Sequence, residues 1–308
     1  MQKITIIGAG RVGESAAQLL AVKELAREIV LIDIREGVAA GVALDIQESA
    51  TLFGFDSRLH GDTETAACAG SDLVIITAGL PRKPGMSRSD VLDANLGVIR
   101  PLVDTIMSEA PDAIIVMVTN PVDIMTYQAW RQTGWDRSRV FGLSGVLDAG
   151  RMAAFVALET GFSAKDITAM VLGGHGDAMV PLPRYSCVNG IPVTEFMDQT
   201  TIERIVQRTR DGGAEILALK QMSSANDSPA AAVVEMVDAV AHNRRRLIPC
   251  VAILDGEYGC RDIAMGVPVV IGAGGVERVI ELTLTEEERA QFERSAEGVR
   301  NDIERLHG

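Results

Sequence analysis

The chain has 308 residues, with 29 Lys and Arg against 42 Asp and Glu, a formal net charge of −13. Its 47% hydrophobic and 23% charged residues describe a chain that buries a core, which excludes disorder, and its length predicts two domains or one large one. The acidic balance argues against nucleic acid and anionic membranes as partners, because both need surplus basic surface; an anionic ligand would have to meet a local island of cations.

In chain order, residues 4–7, 29–32, 73–76 and 114–118 are short runs rich in Ile and Val. They are apolar nearly throughout, as strands covered on both faces are. Helical periodicity fills the intervals at about 12–25, 37–50, 89–109 and 122–133. Alternation of this kind predicts an α/β fold, a doubly wound parallel sheet that binds ligands beyond the carboxyl ends of its strands. A change of pattern near 143–146 divides the chain into domains at 1–144 and 145–308. The second part reads as α+β, with a helix over 146–160 and a strand over 167–172. Asn189-Gly190 between YSCV and IPV predicts a two-residue hairpin. Helices over 200–220 and 229–243 and strands over 247–254 and 267–271 follow, with a strand-to-strand turn at Gly272-Ala273-Gly274-Gly275. A charged helix closes the chain, with Thr285 as N-cap and Glu288 three residues on.

Cys68, Cys187, Cys250 and Cys260 are scattered, with no C-x-x-C and no His at ligand spacing, so neither a disulfide framework nor a metal site is expected. The opening MQKITIIGAGRVG lacks the h-region and cleavage site of a signal peptide. No apolar run approaches the ~18–20 residues of a membrane span. A reduced, cytoplasmic protein away from membranes is expected.

Gly8-Ala9-Gly10-Arg11-Val12-Gly13 is G-x-G-x-x-G, placed between a strand pattern and a helix pattern. Asp33 ends the next strand twenty positions beyond Gly13. That context is a dinucleotide fingerprint: the glycines let backbone N–H groups approach a pyrophosphate at a helix N-terminus. Asp33 can accept both hydroxyls of the adenosine ribose and would repel a 2′-phosphate, which favours NAD over NADP. His175 lies in Gly173-Gly174-His175-Gly176-Asp177, unhindered and near neutrality in pKa, as proton transfer needs. Asp148 and Arg151, three apart in a helix pattern, share a face. They could hold an imidazole and grip a carboxylate, or form an ordinary surface ion pair. The loop GLPRKPGMSR (79–88) carries three cations, Arg82, Lys83 and Arg88, after a strand. It reads as an anion-binding lid or as a solvated basic loop. Asn120, before Pro121, either donates to a ligand carbonyl or opens a helix.

Together, GAGRVG, TAGLPRKPGMSR, VTNPVD, GVLDAGR and GGHGD resemble the lactate/malate dehydrogenase family in order and spacing, and GEYG and GVPVVIGAGGVE extend the likeness over essentially the whole chain. The resemblance implies a Rossmann NAD-binding domain followed by an α+β catalytic domain. It implies His175 as acid/base, Asp148 as its orienting partner, Arg151 on the C1 carboxylate and Arg88 on the reacting carbonyl. Asn120 and Ser224 would stand near the substrate. NAD would be held by Gly8, Gly10, Arg11, Val12, Gly13, Asp33, Thr77, Ala78, Gly79, Asn95, Val118 and Asn120. It also implies a homodimer or homotetramer and a place in the tricarboxylic acid cycle. In the family, position 82 tends to Arg where the substrate is a dicarboxylate and to Gln where it is lactate. Closing Arg82 over pyruvate would leave a buried guanidinium unpaired, costing about 3–5 kcal/mol, or about two to three and a half powers of ten in kcat/KM. Malate/oxaloacetate is therefore the expected pair. The rival readings are a lactate or broader 2-hydroxyacid dehydrogenase and a non-catalytic NAD-binding regulator. One stretch departs from the family. Asn226-Asp227-Ser228 precedes Pro229 where relatives often carry two aromatics, and an Asp227 turned into the pocket would weaken dicarboxylate binding.

Overall fold

The computed structural model describes residues 1–80, 88–221 and 224–306, without the side chains at 88 and 89. The first half runs β1 (Lys3–Ile7), α1 (Arg11–Val22), β2 (Glu28–Ile32), α2 (Val38–Glu48), α3 (Ala50–Phe53), β3 (Arg58–Asp62), β4 (Leu73–Ile76), α4 (Arg88–Glu109), β5 (Ile114–Met117), α5 (Val122–Thr133) and β6 (Val140–Gly142). These strands form a parallel sheet in the order β3-β2-β1-β4-β5-β6. Its central members are buried almost end to end, as helices on both faces require. The order reverses at β1 and β4, so the crevice beyond their carboxyl ends is the switch point where such sheets bind ligands.

The second half runs α6 (Gly145–Thr160), β7 (Ile167–Thr168), β8 (Val171–Gly173), β9 (Met179–Pro181), β10 (Cys187–Val188), β11 (Ile191–Pro192), α7 (Gln199–Lys220), α8 (Asp227–Ala241), β12 (Arg246–Asp255), β13 (Arg261–Gly272), β14 (Gly275–Val279) and α9 (Glu286–Glu304). The large sheet does not stop between the halves. β6 pairs antiparallel with β12 through Gly142 and Val251, and β13, β8 and β9 continue it. Helix α8, buried along most of its length, packs on α1 of the first half as well as on α6 and β13. Most of the buried apolar side chains accordingly form one cluster drawn from both halves, while a smaller one lies beneath α6 and α7 around Met152, Val156 and Ile205.

The strand predicted over 167–172 is divided: β7 joins the small β11-β10-β7 sheet and β8 joins the large one. Apolar content is continuous there, so the pattern carries no sign of the switch. Strands β3, β6 and β9 have no counterpart in the sequence reading, and β14 is implied there only by the turn before it. β3 is an edge strand reading RLHGD, with three of its five residues exposed, and β6 has only three residues. β13 begins at Arg261, six residues before its predicted start, because Gly266 and Pro268 interrupt the apolar pattern. Pro268 faces Pro249 across the ladder, at a position where neither N–H is needed. The Asn189-Gly190 hairpin forms with both residues at positive φ, 48° and 85°, as its turn type demands. Gly272 to Gly275 turn β13 into β14. Thr285 Oγ1 accepts from Glu288 N–H while the Glu288 carboxylate accepts from Thr285 N–H, a complete capping box.

Candidate active site

Two groups of residues meet at the carboxyl edge of the sheet. In the first, β1 runs through Gly8 into α1. Gly8 has φ +111°, and a Cβ there would stand 2.6 Å from Ala78 N. A Cβ on Gly13 would stand 1.9 Å from Gly8 O. The fold itself requires both glycines. At Gly10 a Cβ would meet nothing within 4 Å. The protein leaves that space open beside the first turn of α1, and Gly10, its N-cap residue, offers no side chain to cap the helix. The amides of Arg11, Val12 and Gly13 thus point at an uncapped helix N-terminus, an anion site by dipole and by unpaired donors. That cradle fits a dinucleotide pyrophosphate. Asp33, at the end of β2, accepts from Ala9 N–H at 3.1 Å, tying the second strand end to the glycine turn.

Thr77 donates its hydroxyl to Gly8 O at 2.8 Å, and the N–H groups of Thr77 and Ala78 both reach Ile7 O. Thr119 Oγ1 donates to Ala78 O at 2.7 Å, and Val118 N–H bonds Ile76 O. Asn95, buried on α4, accepts from Leu80 N–H at 2.7 Å and donates to Asn120 O at 2.7 Å. Its amide binds the segments after β4 and β5 together. A Cβ on Gly79 would come within 2.5 Å of Thr119 Cγ2, so these segments are pressed together at the switch point. Asn120 is exposed and joined to Pro121 by a cis peptide bond.

The second group centres on His175, in the loop between β8 and β9. Its Nδ1 lies 2.9 Å from Asp148 Oδ2, and Asp148 Oδ1 accepts from Arg151 Nη1 at 3.0 Å. Asp148 is fully buried in the first turn of α6, where Arg151 balances its charge and the His175 ring gives it a second hydrogen bond. The surface-ion-pair reading of Asp148 and Arg151 therefore does not hold. The Arg151 stem passes under α7 where Gly212 leaves room, its Cδ 3.0 Å from a Cβ built there. The bond from Asp148 fixes Nδ1 as the protonated nitrogen of neutral His175 and leaves Nε2 to work. Burial disfavours the imidazolium, but the charge and hydrogen bond of Asp148, helped by Asp123, outweigh it and hold the His175 pKa above its ordinary value.

Sequence reasoning singled out neither Asp123 nor Ser295. Asp123 Oδ2 accepts from His175 N–H at 3.0 Å, and Ser295 Oγ accepts from Gly174 N–H at 2.8 Å. They hold the backbone of the glycine loop from α5 and α9. Asp123 lay in the quoted VTNPVD motif; the available signal was a carboxylate among the apolar Val122, Ile124 and Met125. Its Oδ1 is buried without a partner among the described residues, and burial pushes its carboxyl up to about 6.

Arg82 lies outside the described residues, as does the side chain of Arg88, whose backbone opens α4. Ser224 is exposed between α7 and α8, and no hydrogen bond among the described residues ties it to His175. Asp227 stands exposed in the first turn of α8 and accepts from Asn226 Nδ2 at 2.7 Å. Asn226 also reaches Ser15 of α1. No described helix is long and apolar enough to cross a membrane.

Comparison with known proteins agrees with this geometry. The family model for the lactate/malate dehydrogenase NAD-binding domain matches residues 2–142, and that for the alpha/beta C-terminal domain matches 145–307. The malate dehydrogenase of Thioalkalivibrio sulfidiphilus is 64% identical over 306 residues, covering 99% of this chain and 100% of that protein. That of Nitrosococcus oceani is 61% identical, covering 99% and 98%. A malate dehydrogenase structure from Salinibacter ruber superimposes with a TM-score of 0.95 at 43% identity, over 99% of this chain and 98% of that one. The chain belongs to the lactate/malate dehydrogenase family.

Proposed function

We propose that the chain is an NAD-dependent malate dehydrogenase interconverting (S)-malate and oxaloacetate, with residues 1–144 binding NAD and residues 145–308 supplying the acid/base machinery. The observation that carries this reading is the chain of contacts His175, Asp148 and Arg151 beside an open glycine cradle, in a protein whose close relatives are malate dehydrogenases. When bound, NAD would supply the hydride acceptor for C2 of malate. Gly8, Gly10, Gly13, the amides of Arg11 and Val12, and Asp33 would hold it, with Thr77, Ala78, Gly79, Val118 and Asn120 lining the switch point and Asn95 bracing them.

His175 Nε2 takes the proton of the 2-hydroxyl in oxidation and returns it in reduction. Asp148 stabilises the imidazolium so formed. Arg151 pairs with the C1 carboxylate, Arg82 with the C4 carboxylate, and Arg88 with the carbonyl oxygen as negative charge grows there. Exclusion of water strengthens each of these contacts. Ser224 supplies a hydroxyl at the rim. A homo-oligomer fits the exposed apolar side chains of α2 and α3, and a cytoplasmic place in the tricarboxylic acid cycle goes with the malate/oxaloacetate reading.

The test is NADH oxidation with oxaloacetate and pyruvate side by side. Oxaloacetate should lead by about two powers of ten or more in kcat/KM, and Arg82→Gln should narrow that lead by at least about tenfold. Equal use of the two substrates by the parent protein would overturn the dicarboxylate reading.

A further inference from the structure

Asp33 faces the adenosine ribose in the reading above, yet Arg35 already holds it. Arg35 Nε donates to Asp33 Oδ1 at 2.9 Å and Nη2 to Oδ2 at 3.1 Å. The Arg35 backbone N–H donates to Oδ1 at 3.0 Å, and Ala9 N–H donates to Oδ2 at 3.1 Å. A carboxylate offers about four acceptor positions, so all are occupied before any diol arrives. The Asp33 side chain is only 9% exposed while that of Arg35 is 63% exposed. The guanidinium therefore covers the carboxylate from the solvent side. The Arg35 hydrogen bond also holds the Asp33 carboxyl below its ordinary range, which favours the carboxylate beside the guanidinium.

Two effects follow. An ion pair whose guanidinium lies in solvent is weak, so a ribose diol can displace Arg35 at little cost. A bare Asp33 would repel a 2′-phosphate, but one neutralised by Arg35 repels it far less, and the same guanidinium can turn to two phosphate oxygens. The exclusion expected from Asp33 alone is thereby weakened.

We propose that Arg35 is a specificity-determining residue that lets the site accept a 2′-phosphorylated nicotinamide dinucleotide beside the unphosphorylated one. This rests on the assignment of Gly8 to Gly13 and Asp33 as the dinucleotide site. The test is fluorescence titration of NADH and of NADPH into the full chain without a second substrate, for the parent, Arg35→Ala and Arg35→Lys. The parent should bind NADPH within about a hundredfold of NADH. Arg35→Ala should weaken NADPH about tenfold or more while leaving NADH within about threefold, and Arg35→Lys should retain most of the NADPH binding. The ratio of kcat/KM for the two cofactors should move in parallel. An NADPH-to-NADH ratio unchanged in Arg35→Ala, or a parent that binds NADH alone, overturns the role of Arg35 and leaves the NAD site standing. Binding of neither cofactor overturns both.

Discussion

His175 sits between two carboxylates that do different work. Asp148 holds its ring and is itself matched by Arg151, whereas Asp123 holds only its backbone and has an oxygen with no described partner. Burial raises the Asp123 carboxyl to about 6, with Asp148 adding to the shift and His175 opposing it. A pKa raised in the folded state gives a contribution fully present below the unfolded value near 4 and lost as pH rises through about 6. Above that pH the fold carries a buried carboxylate it would rather protonate. Asp123→Asn keeps an oxygen for the His175 N–H and removes the charge. Its stability relative to the parent should therefore improve between pH 5 and pH 8 by about 1–1.5 kcal/mol, read from thermal or denaturant unfolding at both pH values. A difference that does not change with pH would show that Asp123 is not the titrating group. The ring partner was legible through the family resemblance, since the D-x-x-R spacing alone leaves a surface ion pair open. The backbone partner was not, because nothing local distinguishes a carboxylate facing a distant amide from one facing water. Arg35 escaped notice for a related reason: two residues beyond an acid, it looks like an exposed loop cation.

At the scale of elements, the strand–turn–helix unit of β1 and α1 separates glycines kept for folding from one kept for a ligand. A Cβ on Gly13 would collide with Gly8 O, while one on Gly10 would stand in open space at an ordinary negative φ. Gly13→Ala should lose about 3 kcal/mol or more of stability, since backbone cannot yield to a contact that close. Gly10→Ala should unfold within about 1 kcal/mol of the parent yet bind NADH about tenfold more weakly, because its methyl fills the space of the pyrophosphate. Unfolding curves and NADH titrations on both variants check the distinction, and equal behaviour of the two would refute it. Elements with strong periodicity or dense Ile and Val were readable: β4 and α5 match their predicted bounds. The elements missed were those whose pairing, and not their composition, makes them strands. β3 gains its place from β2 and β6 from β5 and β12. A sequence window sees neither neighbour.

At the scale of the molecule, Leu44, Leu52 and Phe53 on α2 and α3 are 60%, 86% and 56% exposed. Large apolar side chains gathered on one short stretch mark an interaction surface, and a second copy of the chain is the occupant that the homo-oligomer reading requires. Light scattering should give a mass of at least two chains, about 66 kDa from the 32.9 kDa chain. Leu52→Asp with Phe53→Asp should lower that mass while the chain stays folded; an unchanged mass would move the contact elsewhere. Composition and alternation made the two-part α/β and α+β character legible, but they did not reveal that one sheet traverses both parts. That continuity has a mechanical consequence. With Gly142 paired to Val251 across the seam and α8 packed against α1, a jaw-like swing of the halves would have to break both contacts. His175 and the glycine cradle are thus carried on one continuous scaffold, which can set the alignment of donor and acceptor carbons without a hinge between the halves.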